Sequence, residues 1–141
     1  MKKVLLGLLS LTLIVGTACK KSKDAPAFTK ETVAGTYKLE KVTFKFGSSA
    51  ESDITDGYVD ECAQDDVVTL KADLTYQNVD AGQSCGFGDY SGSWSIPSSS
   101  KFEMDGDQYD LVSWNGTTLA VSEPFDFGGN EGTVILYMKK Q

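Results

Sequence analysis

Residues 108–123 read QYDLVSWNGTTLAVSE. Two apolar-alternating runs, 108–114 and 117–123, flank Asn115-Gly116. That dipeptide is a strong hairpin signal, because a type I′ turn needs positive φ at both central residues. Leu119 and Val121 keep period two after the turn, and Pro124 is expected to stop the strand. A hairpin here sets the class of the whole chain, because the same grammar recurs on both sides of it.

Toward the N-terminus, Lys101 to Met104 reads as a short strand ended by Asp105-Gly106. Residues 89–96 (DYSGSWSI) place Tyr90, Gly92, Trp94 and Ile96 on one face. Residues 66–71 and 74–80 form a hairpin around Ala72-Asp73. Segment 34–46, containing GTYKLEKVTFKF, alternates Tyr37 and Leu39, then Val42, Phe44 and Phe46. Its phase slips near Glu40 and Lys41, which predicts a β-bulge or sharp bend. Toward the C-terminus, Gly128-Gly129-Asn130 turns the chain into a last strand, Thr133 to Lys139. Eight strands joined mostly by tight turns predict an all-β fold with sequential antiparallel pairing. An up-and-down eight-stranded barrel removes the free sheet edges, and an open β-sandwich is the competing architecture.

The chain has 141 residues, 40% of them hydrophobic and 23% charged. There is no histidine, and all 13 basic residues are lysine. Histidine-ligated metal, Ser-His-Asp or Cys-His catalysis and arginine forks for phosphate are therefore excluded. The formal net charge of −7 argues against nucleic acid as a partner. No catalytic residue set, metal site or cofactor emerges, a non-enzymatic protein is expected, and a monomer is expected.

The N-terminus, MKKVLLGLLSLTLIVGTAC, has a basic start, a twelve-residue apolar stretch from Val4 to Val15, and small residues before Cys19. That is the layout of a secretory signal over residues 1–18. GTAC resembles a bacterial lipobox, which would make Cys19 the lipidated first residue of the mature chain; Gly16 stands where leucine is typical. Residues 19–32 then read as the lipidated cysteine and a flexible tether, and 33–141 as the domain. The expected location is the cell envelope, lipid-anchored, with Lys20 pointing to the outer membrane of a Gram-negative bacterium.

Export permits disulfides. With Cys19 set aside, Cys62 and Cys85 remain as a pair. A hairpin centred at Ala72-Asp73 puts Gln83 opposite Cys62, only two positions from Cys85, so a Cys62–Cys85 bridge is expected.

The lipoprotein leader, GTYKLEKV, the cysteine-flanked segment from Cys62 to Cys85 and GSWSI together resemble the lipocalin-like domain lipoproteins of Bacteroidota. Tyr37 stands at that pattern's tryptophan position, Leu74 where a turn glycine is usual, and Gly92, Ser93 and Trp94 form its glycine-tryptophan strand. The resemblance spans residues 33–139. It implies an eight-stranded barrel with room for a small apolar ligand, and no reaction. Tyr37, Phe44, Tyr76, Tyr90, Trp94, Phe102 and Tyr109, on the inner phase of the strands, are the candidates to line such a cavity. The alternative is that they only fill the core. A different function, docking of a basic partner, is open to the acidic stretch 51–66, which carries Glu51, Asp53, Asp56, Asp60, Glu61, Asp65 and Asp66. A weak Ca²⁺ site is also open there, and a plain turn is expected at Asp105-Gly106-Asp107.

Overall fold

The computed structural model describes residues 25–141. Residues 1–18, read above as a secretory signal, and Cys19 lie outside the described residues. A single helical turn, α1 (Lys30–Val33), leads into β1 (Gly35–Lys45), a two-residue β2 (Ser52–Asp53) and a second helical turn, α2 (Thr55–Tyr58). After a 3-10 turn at Glu61–Ala63 come β3 (Val67–Leu70), β4 (Thr75–Val79), β5 (Tyr90–Ser98), β6 (Lys101–Met104), β7 (Asp107–Trp114), β8 (Thr118–Phe127) and β9 (Asn130–Lys140).

Strands β3 to β9 pair in chain order, all antiparallel. β1 pairs with β3 through Gly35–Lys38 and, along its other edge, with β9 from Tyr37 to Lys45. The sheet therefore closes into an eight-stranded up-and-down barrel, the architecture that the strand pattern predicts. β2 lies beside Thr43 and Phe44 and prolongs the row that β3 begins along β1. The expected bulge is present: the β1–β9 register slips between Leu39 and Lys41, and Glu40 is the extra residue. Without it Val42, Phe44 and Phe46 would point outward, because a one-residue slip exchanges the faces of a strand.

Three local expectations are corrected. Asn115-Gly116 does form a hairpin, but not a type I′ turn, since only Gly116 has positive φ (92°). The Asn115 side chain instead accepts from the N–H groups of Thr117 (2.9 Å) and Thr118 (2.7 Å), which lengthens the loop to an Asx-type turn. The tight mirror-image turn is at Asp105-Gly106, with φ of 50° and 94°. Second, Pro124 does not stop β8, which runs on to Phe127. The Lys140 N–H donates to the Thr117 carbonyl. Counting along β8 from that bond, the Pro124 nitrogen points toward β7, where pairing already ends at Ser122, so no ladder bond is lost. Third, β9 begins three residues before Thr133, at Asn130.

The barrel has two unlike ends. At one end lie Val33, Tyr37, Leu70, Trp94, Phe102, Trp114 and Leu119, all buried. Thr29 caps α1 in a capping box, and Phe28, Val33 and Ala34 pack onto this core. So the last part of the stretch read as a tether lies against the barrel and closes that end; Phe28 and Val33 are the apolar residues that hold it. Full burial of each large side chain contributes about 1.5–3 kcal/mol. The hairpin turns 71–74 and 115–117 share this end. The opposite end carries the connection 46–66, the loop 80–89 and the turns at 105–106 and 128–129.

Candidate functional site

The open end holds an apolar cleft of about 490 Å³. Its lining is Phe44 and the adjoining Phe46, Val134 from β9, Phe125 from β8, and Ile54, Gly57 and Tyr58 from the connection that carries α2. Register explains the convergence. Phe44 faces Val134 across β1–β9, and Phe125 faces Gly132 across β8–β9. Gly132 is needed there, since a Cβ on it would lie 2.2 Å from Cζ of Phe44. The rings meet edge to face: Phe44–Phe46 at 4.6 Å, Phe44–Phe125 at 6.3 Å and Tyr58–Phe125 at 6.5 Å between centroids. Phe46 is 46% exposed, Tyr58 39% and Phe125 37%, so the cleft opens to solvent.

The helical turn α2 lies across this opening. Ile54 N–H donates to the Val42 carbonyl and Thr55 Oγ1 accepts from the Val42 N–H at 2.8 Å, which fixes the start of α2 to β1. From its end, the Tyr58 hydroxyl reaches Glu123 on β8 and donates to Oε1 at 3.0 Å. Burial and the neighbouring Glu123 carboxylate push the Tyr58 phenol up to about 12. Below, the Tyr76 hydroxyl donates to Asp105 Oδ2 at 2.5 Å, and Ser93 N–H donates to Oδ1 at 2.8 Å. These two bonds hold the Asp105 carboxyl below the usual range.

The disulfide joins Cys62 to Cys85 with the Cα atoms 5.3 Å apart, and ties the connection over the mouth to the loop 80–89. The acidic stretch is largely engaged in local bonds. Glu51 accepts from Thr43 (2.8 Å) and Tyr137 (2.9 Å), and Asp53 accepts from Thr55 Oγ1 (2.6 Å). Asp66 accepts from Asn78 (3.0 Å) and Asp65 from the Gln83 N–H (3.2 Å). Among the described residues, no group of three His, Cys, Asp or Glu is arranged to hold a metal. Asp105-Gly106 is a hairpin turn whose carboxylate serves Tyr76 and Ser93.

A closed antiparallel barrel of eight strands, plugged at one end and apolar at the other, is the form expected of a lipocalin-like chain. Residues 33–131 match the family model described as the lipocalin-like domain. The chain belongs to the lipocalin-like domain family. No curated protein and no solved structure matches it.

Within this lipocalin-like barrel, register puts all seven predicted lining residues on the inner face, but not in one place. Tyr37, Tyr76, Trp94 and Phe102 are buried in the core. The Tyr37 hydroxyl donates to the Val33 carbonyl, burial raises its pKa, and the Trp94 indole donates to the Lys71 carbonyl at 2.9 Å. Tyr109 packs against that core from higher up, and Tyr90, 54% exposed, stacks edge-on against Tyr76 at 6.3 Å. Of the seven, only Phe44 lines the cleft. The cleft residues not singled out from the sequence are Phe46, Ile54, Gly57, Tyr58, Phe125 and Val134. A signal for Phe125 did exist: it continues the phase of Leu119, Val121 and Glu123 past Pro124. Ile54 and Tyr58 sit in an irregular connection with no period to read.

Proposed function

We propose that the protein is a lipid-anchored, non-enzymatic envelope lipocalin that binds a small apolar molecule in the mouth of the barrel. The observation that carries the reading is the asymmetry of the interior: one end is filled to burial, while the other leaves an aromatic-lined cleft of about 490 Å³. Binding would remove Phe44, Phe46, Tyr58 and Phe125 surface from water, at about 25 cal/mol per Å². The anchor rests on the signal-like residues 1–18 and the lipobox-like GTAC ending at Cys19.

The test is a native mass spectrum of the protein taken from its own membrane, with titration by a series of straight-chain alcohols. A discrete non-covalent mass lost on denaturation, and affinity that rises with chain length until the cleft is full, are expected. A bare mass together with no alcohol binding would overturn the ligand reading. Cys19→Ser should release the protein from membranes; sedimentation with membranes regardless would overturn the anchor.

A further inference from the structure

We infer that the molecule taken into the mouth is an amine: an apolar body in the cleft with a protonated amino group against the carboxylate of Glu123. The inference rests on the mouth being a ligand site, and it names the chemistry of the occupant.

The interior is polarised along the barrel axis. The one lysine on the inner face of the described barrel, Lys140, sits at the closed end. Its Nζ donates to the Thr32 carbonyl at 2.9 Å and lies 5.9 Å from the Tyr37 ring and 5.7 Å from the Trp114 ring. Lys41 faces outward, over Tyr137 at 4.6 Å, and Lys101 is paired outside with Asp110 at 2.7 Å. Toward the mouth the inner-phase charges are all carboxylates, Asp66, Asp107 and Glu123, joined by the turn residue Asp105, whose carboxylate reaches Tyr76.

Asp66 and Asp105 are held by the fold. Asp66 takes the Asn78 amide and the Ala81 N–H, and Asp105 takes Tyr76 and Ser93. Glu123 differs. Its pairing partner Val134 and its same-face neighbour Phe125 both line the cleft, and so does Tyr58, which donates to Oε1. Among the described residues Oε2 accepts no hydrogen bond and no cation stands opposite it. The half-buried carboxylate therefore stands beside the cleft, next to Tyr58, Phe125 and Val134, with Oε2 open to water and free of protein donors, where an ammonium group on a bound molecule would find a charged acceptor.

The lining favours the same charge. Phe44, Phe46, Tyr58 and Phe125 meet edge to face, so their ring faces point in different directions around the cleft. Ring faces attract cations and repel anions. A carboxylate head group, as on a fatty acid, would meet Glu123 with like charge, an element of exclusion as well as selection.

The experiment compares three probes with the same ten-carbon chain: decylammonium, decanol and decanoate. Each is titrated calorimetrically into the full protein at neutral pH and about 0.15 M salt, where the long-range pull of the net charge is screened beyond about 8 Å. Decylammonium should bind about tenfold tighter than decanol, with decanoate weakest. Glu123→Gln, whose amide oxygen still accepts from Tyr58, should bring decylammonium to within about twofold of decanol and leave decanol unchanged; unchanged decanol binding also certifies the fold. Tyr58→Phe frees Oε1 and should preserve the preference for the amine. Glu31→Gln, on α1 at the closed end, should move none of the three. Decanoate binding as tightly as decylammonium, or a preference that survives Glu123→Gln, would overturn the amine and leave the ligand site standing. Failure of all three probes to bind would overturn the ligand site itself.

Discussion

The two ends of this barrel are built from the same residue types and do opposite work. At the closed end the aromatic rings are buried, with the Tyr37 hydroxyl on the Val33 carbonyl and the Trp94 indole on the Lys71 carbonyl, while the buried Trp114 indole N–H has no partner among the described residues. At the mouth, Phe46, Tyr58 and Phe125 keep a third or more of their surface in water. The difference arises from what crosses each opening. α1 delivers Phe28 and Val33 into the closed end and completes the core. α2 and its N-cap bring Ile54, Gly57 and Tyr58 to the mouth, with the Tyr58 hydroxyl bridging to Glu123, and leave the cleft beneath them unfilled. Aromatic content therefore does not distinguish core from site; the segment that covers each end does.

The division can be broken most directly by truncation. Trp94→Ala, at the closed end, should cost about 3–5 kcal/mol in urea unfolding, while Phe125→Ala at the mouth should cost about 1 kcal/mol. Equal costs would erase the distinction. Next in size is the disulfide. Replacing Cys62 and Cys85 with serine should lower stability by about 3 kcal/mol, since the closed loop has a sequence separation of 23. Near-ultraviolet signals from Trp94 and Trp114 should survive in the folded population, because the bridge ties only mouth segments. Gly132→Ala should cost about 1–3 kcal/mol by overpacking against Phe44, and decanol binding should weaken as that ring is driven into the cleft.

A pH titration sharpens the contrast further. Burial raises the phenol pKa of Tyr37 and Tyr76 as well as Tyr58. A phenol raised in the folded state stabilises fully below its unfolded value, about 10, and that stability is lost as pH rises through the folded value. Absorbance at 295 nm should therefore show Tyr58 ionising near pH 12, with Tyr37 and Tyr76 ionising only as the barrel unfolds. Tyr58→Phe should remove one phenol from the titration without shifting the others. Asp105 runs the opposite way: its lowered carboxyl stabilises above about pH 4 and loses that contribution as pH falls. The smallest effect belongs to the closed-end hairpin. Leu74 sits at φ 70°, so Leu74→Gly should raise stability by about 0.5–1 kcal/mol in thermal melts.

Much of the barrel was legible because period two is a local signal. Alternation placed every barrel strand, and the slip at Glu40 placed the bulge. The hairpin between β3 and β4 brought Cys62 and Cys85 together on paper as in the fold: Leu70 faces Tyr76, so position 84 stands opposite Cys62. The unexpected glycine-like role of Leu74 was visible as a departure from the family pattern, and its positive φ accounts for it. What the sequence concealed depends on contacts distant in the chain. The turn at Asn115 differs from the expected type because the Asn115 side chain takes the Thr117 and Thr118 N–H groups at 2.9 and 2.7 Å, beside a longer backbone bond of 3.4 Å from the Asn115 N–H to the Thr118 carbonyl. Pro124 looked like a stop because which edge its nitrogen faces depends on the register with β9. The cleft was hidden because alternation marks an inner face without marking where that face is filled. Tyr37 and Phe44 share one inner face across the Glu40 bulge, and only the segments crossing each end separate core from mouth.

The pairing of β1 with β9 carries a consequence for how the molecule is made. Tyr37 pairs with Lys140 and Lys45 with Thr133. Closing a loop of about a hundred residues adds only logarithmically to the entropic penalty, but such distant contacts slow folding. Hairpins from β3 to β8 can form in order as the chain appears, each within microseconds. The cylinder cannot shut until β9 arrives, and until then the edges of β1 and β8 stand open to other chains. The interval before closure is thus the period of greatest exposure to aggregation, and its length is set by the arrival of a single strand.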